Sequence, residues 1–366
     1  MTDVPMALSG TVTTLLALPE SQMVKFVRAQ GWPNYRATQI LRWLYQRRLR
    51  AITDMTDLPG HDRKALVRSA AIGRSTQVTV LPSQDGTRKL LLTLDDGLSI
   101  EAVMIPDADR LTLCVSTQVG CMLDCRFCLT GRMGLRRNLK LNEIIDQILT
   151  AQDLLDPGQR LTNLVFMGMG EPLANLDTLK AAITGLTNQL WGLGWSPRRV
   201  TVSTAGLASR LPEVAALGVN LAISLNATTD EQRRELMPAA SEIAPLKSLL
   251  AACRLCPLSS HQRLTFEYVL LSGVNDHASD ARRLAGLLRA MRCKVNLIPF
   301  NEFPGSSFHR PSDRAVLEFQ SILRDAGLDA FVRKSRGRDV LGACGQLGKL
   351  PGNRPSITLT PIETRC

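Results

Sequence analysis

The hydrophobic rhythm of the chain changes twice. Ala37, Ile40, Leu41 and Leu44 recur at i, i+3, i+4 and i+7, the stripe of an amphipathic helix, and a second short helix is expected over 61–70. The period then shortens. Apolar runs at 89–94 and 98–105 flank Asp95-Asp96-Gly97, and Asp-Gly between two such runs is a strong hairpin signal. From Leu111 onward, short apolar runs alternate with helical patterns. Strands are expected over 111–116, 163–167, 199–204, 220–225, 264–271, 294–300 and 330–334. Leu141, Ile144, Ile145 and Ile148 mark one intervening helix, and Leu284, Leu287, Leu288 and Met291 another. About six successive βα units predict an α/β protein with a parallel sheet, a partial (open) βα barrel behind an N-terminal helical accessory domain. The expected organisation is a helical basic unit over 1–95, the barrel over 96–348 and a mobile tail over 349–366, which has Pro and Gly without periodicity.

In barrels of this kind, chemistry gathers at the C-terminal ends of the strands. Gly170 and Glu171, Ser203, Ser224 through Asn226 and Asn301 all fall at such ends, as does the loop after the first barrel strand. Glu101 stands inside the second hairpin strand. It either faces water on the polar side of that strand or faces a site just ahead of the loop, where proton transfer is needed.

Charge adds a partner class. With 44 Lys and Arg against 33 Asp and Glu, the net charge of +11 argues for an anionic partner, most simply nucleic acid. Arg36, Arg42, Arg47, Arg48 and Arg50 surround the first helical stripe, with Trp43 and Tyr45 between them, and Arg63, Lys64 and Arg68 follow on the second helix. One charged helix face is most often simply solvated, but the cluster as a whole favours a phosphate-binding surface. Aromatic residues are only 4%, too few for broad base-stacking platforms, and nothing indicates base readout. No apolar run is long enough to cross a membrane. The start, Met1-Thr2-Asp3, carries no basic segment ahead of the weakly apolar Val12–Leu18 and reads against a signal peptide. Nine cysteines, odd in number and clustered, point to a reducing cytoplasm.

The chemistry concentrates in Cys121-Met-Leu-Asp-Cys125-Arg-Phe-Cys128. Three thiolates so close together suit an iron–sulfur cluster, whereas structural zinc normally takes four protein ligands. The plainer alternatives are buried core cysteines, or a zinc knuckle with Cys114 as fourth ligand. A four-iron cluster held by three cysteines keeps one iron open to a small ligand, such as S-adenosylmethionine (SAM) chelating through its amino and carboxylate groups. At this point the sequence resembles the radical SAM superfamily.

Several further stretches narrow the resemblance: Leu113-Cys114 through Gly120-Cys121, Met167-Gly-Met-Gly-Glu-Pro-Leu173, Pro299-Phe-Asn-Glu-Phe-Pro-Gly305 and Ala343-Cys344-Gly-Gln-Leu347. Together they resemble the RlmN/Cfr family of radical SAM RNA-adenine methyltransferases, and more the RlmN type, which methylates carbon 2 of an adenine in 23S rRNA and in tRNA. The Cfr type, acting on carbon 8, is the alternative within the family. A non-catalytic metal-containing RNA-binding protein, or another radical SAM enzyme such as a glycyl-radical activase, is the alternative outside it. The resemblance implies a [4Fe-4S] cluster on Cys121, Cys125 and Cys128. It implies SAM, two per turnover, held by Gly170, Glu171, Ser203, Ser224, Leu225, Asn226 and Asn301. Cys344 would accept a methyl group and become S-methylcysteine, Glu101 would take the ring proton, and Cys114 would release the product by attacking the sulfur of Cys344, leaving a disulfide. Carbon 2 of adenine is not nucleophilic, so direct polar transfer from SAM is closed, and radical chemistry on the S-methyl group replaces it. The resemblance further implies rRNA and tRNA as partners, a flavodoxin- or ferredoxin-type electron donor, a monomer and a cytoplasmic home. Cys253, Cys256 and Cys293 receive no role and read as packing. Two positions depart from the family pattern: Asn226 stands where a histidine is usual, and Lys140 where a Thr usually opens the next helix.

Overall fold

The computed structural model describes residues 12–260 and 262–349. The expected tail lies, beyond Lys349, outside the described residues. Three helices open the chain: α1 (Glu20–Ala29), α2 (Tyr35–Tyr45) and α3 (Gly60–Ser69). In α2 the stripe read from sequence is buried, with Ala37, Ile40, Leu41 and Leu44 each at most 1% exposed. Tyr45 extends it and packs edge-on against Trp191, ring centroids 5.2 Å apart.

A ten-stranded sheet follows, its strands in strict chain order. Strands β1 (Val78–Pro82), β2 (Arg88–Thr93), β3 (Ser99–Asp107) and β4 (Arg110–Cys114) form an antiparallel meander. From β4 the sheet turns parallel through β5 (Asn163–Phe166), β6 (Val200–Thr204), β7 (Asn220–Ser224), β8 (Leu264–Leu270), β9 (Cys293–Pro299) and β10 (Ala330–Val332). The two end strands, β1 and β10, do not pair with each other, so the barrel is open. The β2–β3 hairpin falls where Asp95-Asp96-Gly97 placed it. Strand β1 is an addition, and β1 and β2 are hydrogen-bonded into the main sheet rather than standing with the helices that precede them.

Parallel neighbours require long crossovers, and helices supply them. They include α4 (Leu141–Asp153) between β4 and β5, α5 (Leu176–Thr187) between β5 and β6, α6 (Asp230–Leu236) and α7 (Leu246–Arg254) between β7 and β8, α8 (Ala278–Leu288) between β8 and β9, and α9 (Asp313–Asp325) between β9 and β10. Strand β9 shows how the faces divide: Cys293, Val295, Leu297 and Pro299 are buried, while Lys294, Asn296 and Ile298 between them are half-buried on the concave side. Cys253, Cys256 and Cys293 are all under 9% exposed, in line with packing. Lys140 has no acceptor side chain to cap α4, but Glu143 Oε2 accepts from the Lys140 amide at 2.8 Å, so the helix start is satisfied from its third residue.

The helical unit docks on α4 through charge. Arg74, whose side chain is 3% exposed, donates to Asp146 and, at 2.8 Å, to Asp153 Oδ2. Arg48 and Arg50 reach the same Asp153 at 2.9 and 3.2 Å. Two arginines of the expected phosphate-binding cluster are therefore engaged in joining this unit to the barrel. Arg36 pairs with Asp62 at 3.6 Å and Arg42 donates to the Leu190 carbonyl at 3.0 Å. Lys25, Arg47, Lys64 and Arg68 are exposed.

Candidate active site

The three cysteines sit on the loop that follows β4. Gly120 shapes its entry: with φ at +77°, a Cβ there would lie 1.8 Å from the Gly134 carbonyl oxygen, so only glycine lets these two strands of the loop close. Cys128 N donates to Cys125 O at 3.0 Å, and Arg126 N to Leu236 O at the end of α6, also at 3.0 Å. An apolar cluster including Leu123, Phe127, Leu236, Met237 and Phe300 packs beneath the thiols.

Burial pushes the Cys121 thiol up to about 12, with Cys128 and Glu171 adding to the rise. Burial also drives Cys125 well above the ordinary thiol range; Cys128 and Cys121 reinforce it and Arg233 opposes it. Cys128 rises for the same first reason. Three protonated thiols crowded over an apolar floor are a poor end state for a protein but a suitable donor set, because a metal centre takes thiolates and displaces the protons. Among the described residues, no three Cys, His, Asp or Glu side chains converge on a point where a single ion could sit. Cys114 ends β4 and is 5% exposed.

The Cys344 loop (341–348) closes over the cysteine loop. Leu129 N donates to Gly345 O at 2.8 Å and Thr130 Oγ1 to Leu347 O at 2.6 Å. Asn301 Nδ2 donates to Cys344 O at 3.1 Å, while the Asn301 Oδ1 is buried without a partner. The Cys344 side chain is open to solvent, yet protein surrounds it closely, and this surrounding raises its thiol pKa, with Glu267 adding and Arg333 opposing. Burial raises Cys114 as well, and Cys344 contributes to the rise. Neither thiol is in a disulfide, and the Cys344 loop passes over the strand pair that carries Cys114: a Cβ at Gly342 would lie 3.7 Å from Val103, the residue paired with Cys114.

Sheet register places Glu101 beside them. Val103 pairs with Cys114 across β3 and β4, and Glu101 lies two residues before Val103, on the same face. Of the two readings of Glu101, the inward one holds: it is 3% exposed. Its Oε1 receives Lys89 Nζ at 3.4 Å and its Oε2 receives Gly348 N at 3.1 Å, from the Cys344 loop. Lys89 Nζ also donates to Leu341 O at 3.4 Å, so both ends of that loop are tied to this ion pair.

The remaining positions line the strand ends. Gly170 (φ +101°) passes so close to Gln118 that a Cβ would come within 2.5 Å of its side chain. Glu171 is buried and bridges two strand ends: its Oε1 accepts from Leu173 N at 3.0 Å and its Oε2 from Ala205 N at 2.9 Å. Burial raises its pKa and these hydrogen bonds oppose the rise. Ser203 and Ser224 face each other on the concave side, Oγ to Oγ 3.5 Å. Leu225 is fully buried and its carbonyl accepts from Arg233 at 2.9 Å. Asn226 takes a left-handed backbone (φ +56°), which Asn tolerates better than most residues. Its Oδ1 accepts from Val269 N at 2.8 Å, so this side chain organises the strand end itself.

The sequence reading passed over Arg233, the largest fully buried side chain, and Lys89. In Asp-Glu-Gln-Arg-Arg-Glu-Leu, Arg233 looks solvated; the available signal is that it shares a stripe with Leu236 and Met237 at i+3 and i+4. Burial lowers its pKa to about 10, with Cys125 the leading opposing influence.

An open barrel with three cysteines on the loop after its first parallel strand defines a radical SAM protein, and residues 115–285 match the family model for the Radical SAM superfamily. Residues 13–72 match that for the ribosomal RNA large subunit methyltransferase N-terminal domain. A crystal structure of a radical SAM methyltransferase from Sphaerobacter thermophilus is 41% identical, with a TM-score of 0.86 over 92% of this chain and 99% of that one. The dual-specificity RNA methyltransferase RlmN of Geobacter sulfurreducens is 47% identical over 358 residues, 96% of this chain and 97% of that protein. The RlmN of Desulfosudis oleivorans is 47% identical over 90% of this chain and 91% of its own length. The chain belongs to the RlmN family. Membership brings a [4Fe-4S] cluster and SAM as cofactors, and the clustered thiols fit the first.

Proposed function

We propose that this protein is an RNA methyltransferase that places a methyl group on carbon 2 of an adenine in 23S rRNA and in tRNA, by way of a methylated Cys344. The observation that carries the reading is the meeting of Cys114, Cys344 and Glu101 beside the three-cysteine loop, from positions scattered over most of the chain. RlmN-named relatives matching nearly end to end favour carbon 2 over carbon 8.

Cys121, Cys125 and Cys128 would hold the cluster, which when bound supplies the electron for reductive cleavage of SAM and so the acceptor for a hydrogen atom of the S-methyl group. Gly170 lets the strand end pack against Gln118, and Ser203, Ser224 and the unpartnered Asn301 Oδ1 offer polar contacts to SAM. Glu171, Leu225 and Asn226 shape that pocket chiefly through backbone they hold in place. Cys344, accessible to solvent, gives its thiolate to a methyl group by simple displacement. Glu101 receives the ring proton on its carboxylate, oriented by Lys89 Nζ. Cys114, held on a rigid strand, attacks the Cys344 sulfur and frees the methylated base. The resulting disulfide requires external reduction, which fits a cytoplasmic setting, and a flavodoxin- or ferredoxin-type donor would feed the cluster. The helical unit, with Lys25, Arg47, Lys64 and Arg68 exposed, is the RNA-binding part. No described helix is long and apolar enough to cross a membrane.

The test is nucleoside mass spectrometry of 23S rRNA and tRNA lacking the modification, treated anaerobically with reconstituted protein, SAM and reductant. 2-Methyladenosine is expected; 8-methyladenosine alone, or none, contradicts the proposal.

A further inference from the structure

Arg233 poses an electrostatic question that the proposed chemistry does not answer. Its guanidinium is fully buried and donates only to uncharged acceptors: Leu225 O at 2.9 Å, Ala205 O at 2.5 Å, Ser224 O at 3.5 Å and the Met237 sulfur at 3.8 Å. Its Nε is buried without a partner. Among the described residues it forms no ion pair; Asp230, three residues earlier, accepts from the Leu246 amide at Oδ1 instead. Gly206 clears the approach, since a Cβ there would meet the guanidinium at 3.0 Å. A buried, uncompensated charge costs several kcal/mol, so such a group implies a missing anion. The cysteine loop is the adjoining element: Arg126 N bonds Leu236 O one turn along the same helix, and Met237, whose sulfur the guanidinium contacts, belongs to the apolar cluster on which Cys121, Cys125 and Cys128 pack.

We propose that Arg233 is the charge-balancing residue of the cluster site, its guanidinium offsetting the negative charge that three thiolates and the cluster bring beside Cys125 and thereby favouring the reduced state. Reduction adds one further negative charge to the cluster. A fixed cation in a low-dielectric setting therefore stabilises the reduced form more than the oxidised one. The same guanidinium ties the chain after β6, at Ala205, to the chain after β7, at Leu225, so the charge is held at a fixed distance from the loop.

The experiment is a redox titration of cluster-loaded, full-length protein, followed by visible absorbance without RNA. At the potential where the parent is half reduced, Arg233→Met should show a reduced-to-oxidised ratio about tenfold lower, equivalent to ~59 mV for a one-electron couple. Arg233→Lys, which keeps the charge and loses the fork, should move less than half as far. Asp230→Asn, which removes a partly exposed negative charge near Arg233, should move the ratio the other way, roughly twofold, the small size reflecting solvent screening. An Arg233→Met cluster with the parent's midpoint overturns the proposal, as does an Arg233→Lys shift equal to that of Arg233→Met, which would make the residue a structural tie alone. If Arg233→Met yields no folded protein, Asp230→Asn decides: an unchanged or lower ratio overturns it. The inference rests on the cluster assignment. Loss of that assignment would show as parent protein without iron and sulfide, whereas a loaded parent with indifferent variants removes only the role of Arg233.

Discussion

Replacing Arg74 with Met should destabilise the protein by about 3–5 kcal/mol, the cost of leaving a buried carboxylate unpaired. The side chains of Arg74 and Asp146 are 3% and 2% exposed, so solvent does little to screen what remains. Asp146 keeps two neutral hydrogen bonds, from Ser75 N to Oδ2 at 2.7 Å and from Thr150 Oγ1 to Oδ1 at 3.2 Å, but no cation. Asp153 is a different case. It is 27% exposed and retains Arg48 and Arg50, so losing Arg74 there costs much less. The double variant Arg74→Met, Asp146→Leu removes both buried charges and should recover most of the loss, within about 1–2 kcal/mol of the parent. Equilibrium urea unfolding of the cluster-free protein, read by tryptophan fluorescence and circular dichroism, measures all three proteins. A single variant within about 1 kcal/mol of the parent, or a double variant as unstable as the single, would refute the claim that this pair is what seats the helical unit on α4.

Other expectations follow from the same structure. Changing Lys25, Arg47, Lys64 and Arg68 together to Ala should flatten the log–log salt dependence of RNA affinity by about 0.7–0.9 per lost phosphate contact, measured by filter binding, while an unchanged slope reassigns this face to ordinary solvation. Gly170→Ala should cost about 1–3 kcal/mol and weaken SAM binding by calorimetry, because it forces a Cβ into Gln118; parent-like binding would show the close approach to be relieved elsewhere. Since burial raises the thiols of Cys121, Cys125 and Cys128, they are protonated near neutrality and cluster assembly must release their protons; iron incorporation at fixed iron and sulfide should therefore rise from about pH 7 to pH 9, and a flat profile would contradict the raised values.

The sequence made the barrel legible because its parallel strands read as apolar runs between helical patterns, and each expected run lies within a residue or two of an observed strand. Strand β1 escaped because Val78 to Pro82 is only half-buried and ends in a proline, so its pattern is that of a loop. The cysteine loop announced its metal chemistry through spacing alone. The association of Cys114 with Cys344 did not; 230 residues separate them, and in the sequence only a resemblance joins them. Charged residues misled most. Arg48 and Arg50 looked like phosphate ligands and pair with a carboxylate on α4, while Arg233, given no role from sequence, is fully buried. A side chain's partner lies in tertiary structure, and composition along one helix does not contain it.

Covalent trapping separates the roles of Cys114 and Cys344. Cys114→Ala protein, loaded with cluster and given SAM, reductant and substrate RNA, should accumulate joined to RNA, seen as a slower band on a denaturing gel that collapses on RNase treatment, with peptide mass spectrometry placing the link on Cys344. Cys344→Ala should give no such band. Normal turnover by Cys114→Ala, or a crosslink that survives Cys344→Ala, would contradict the assignment of these two thiols.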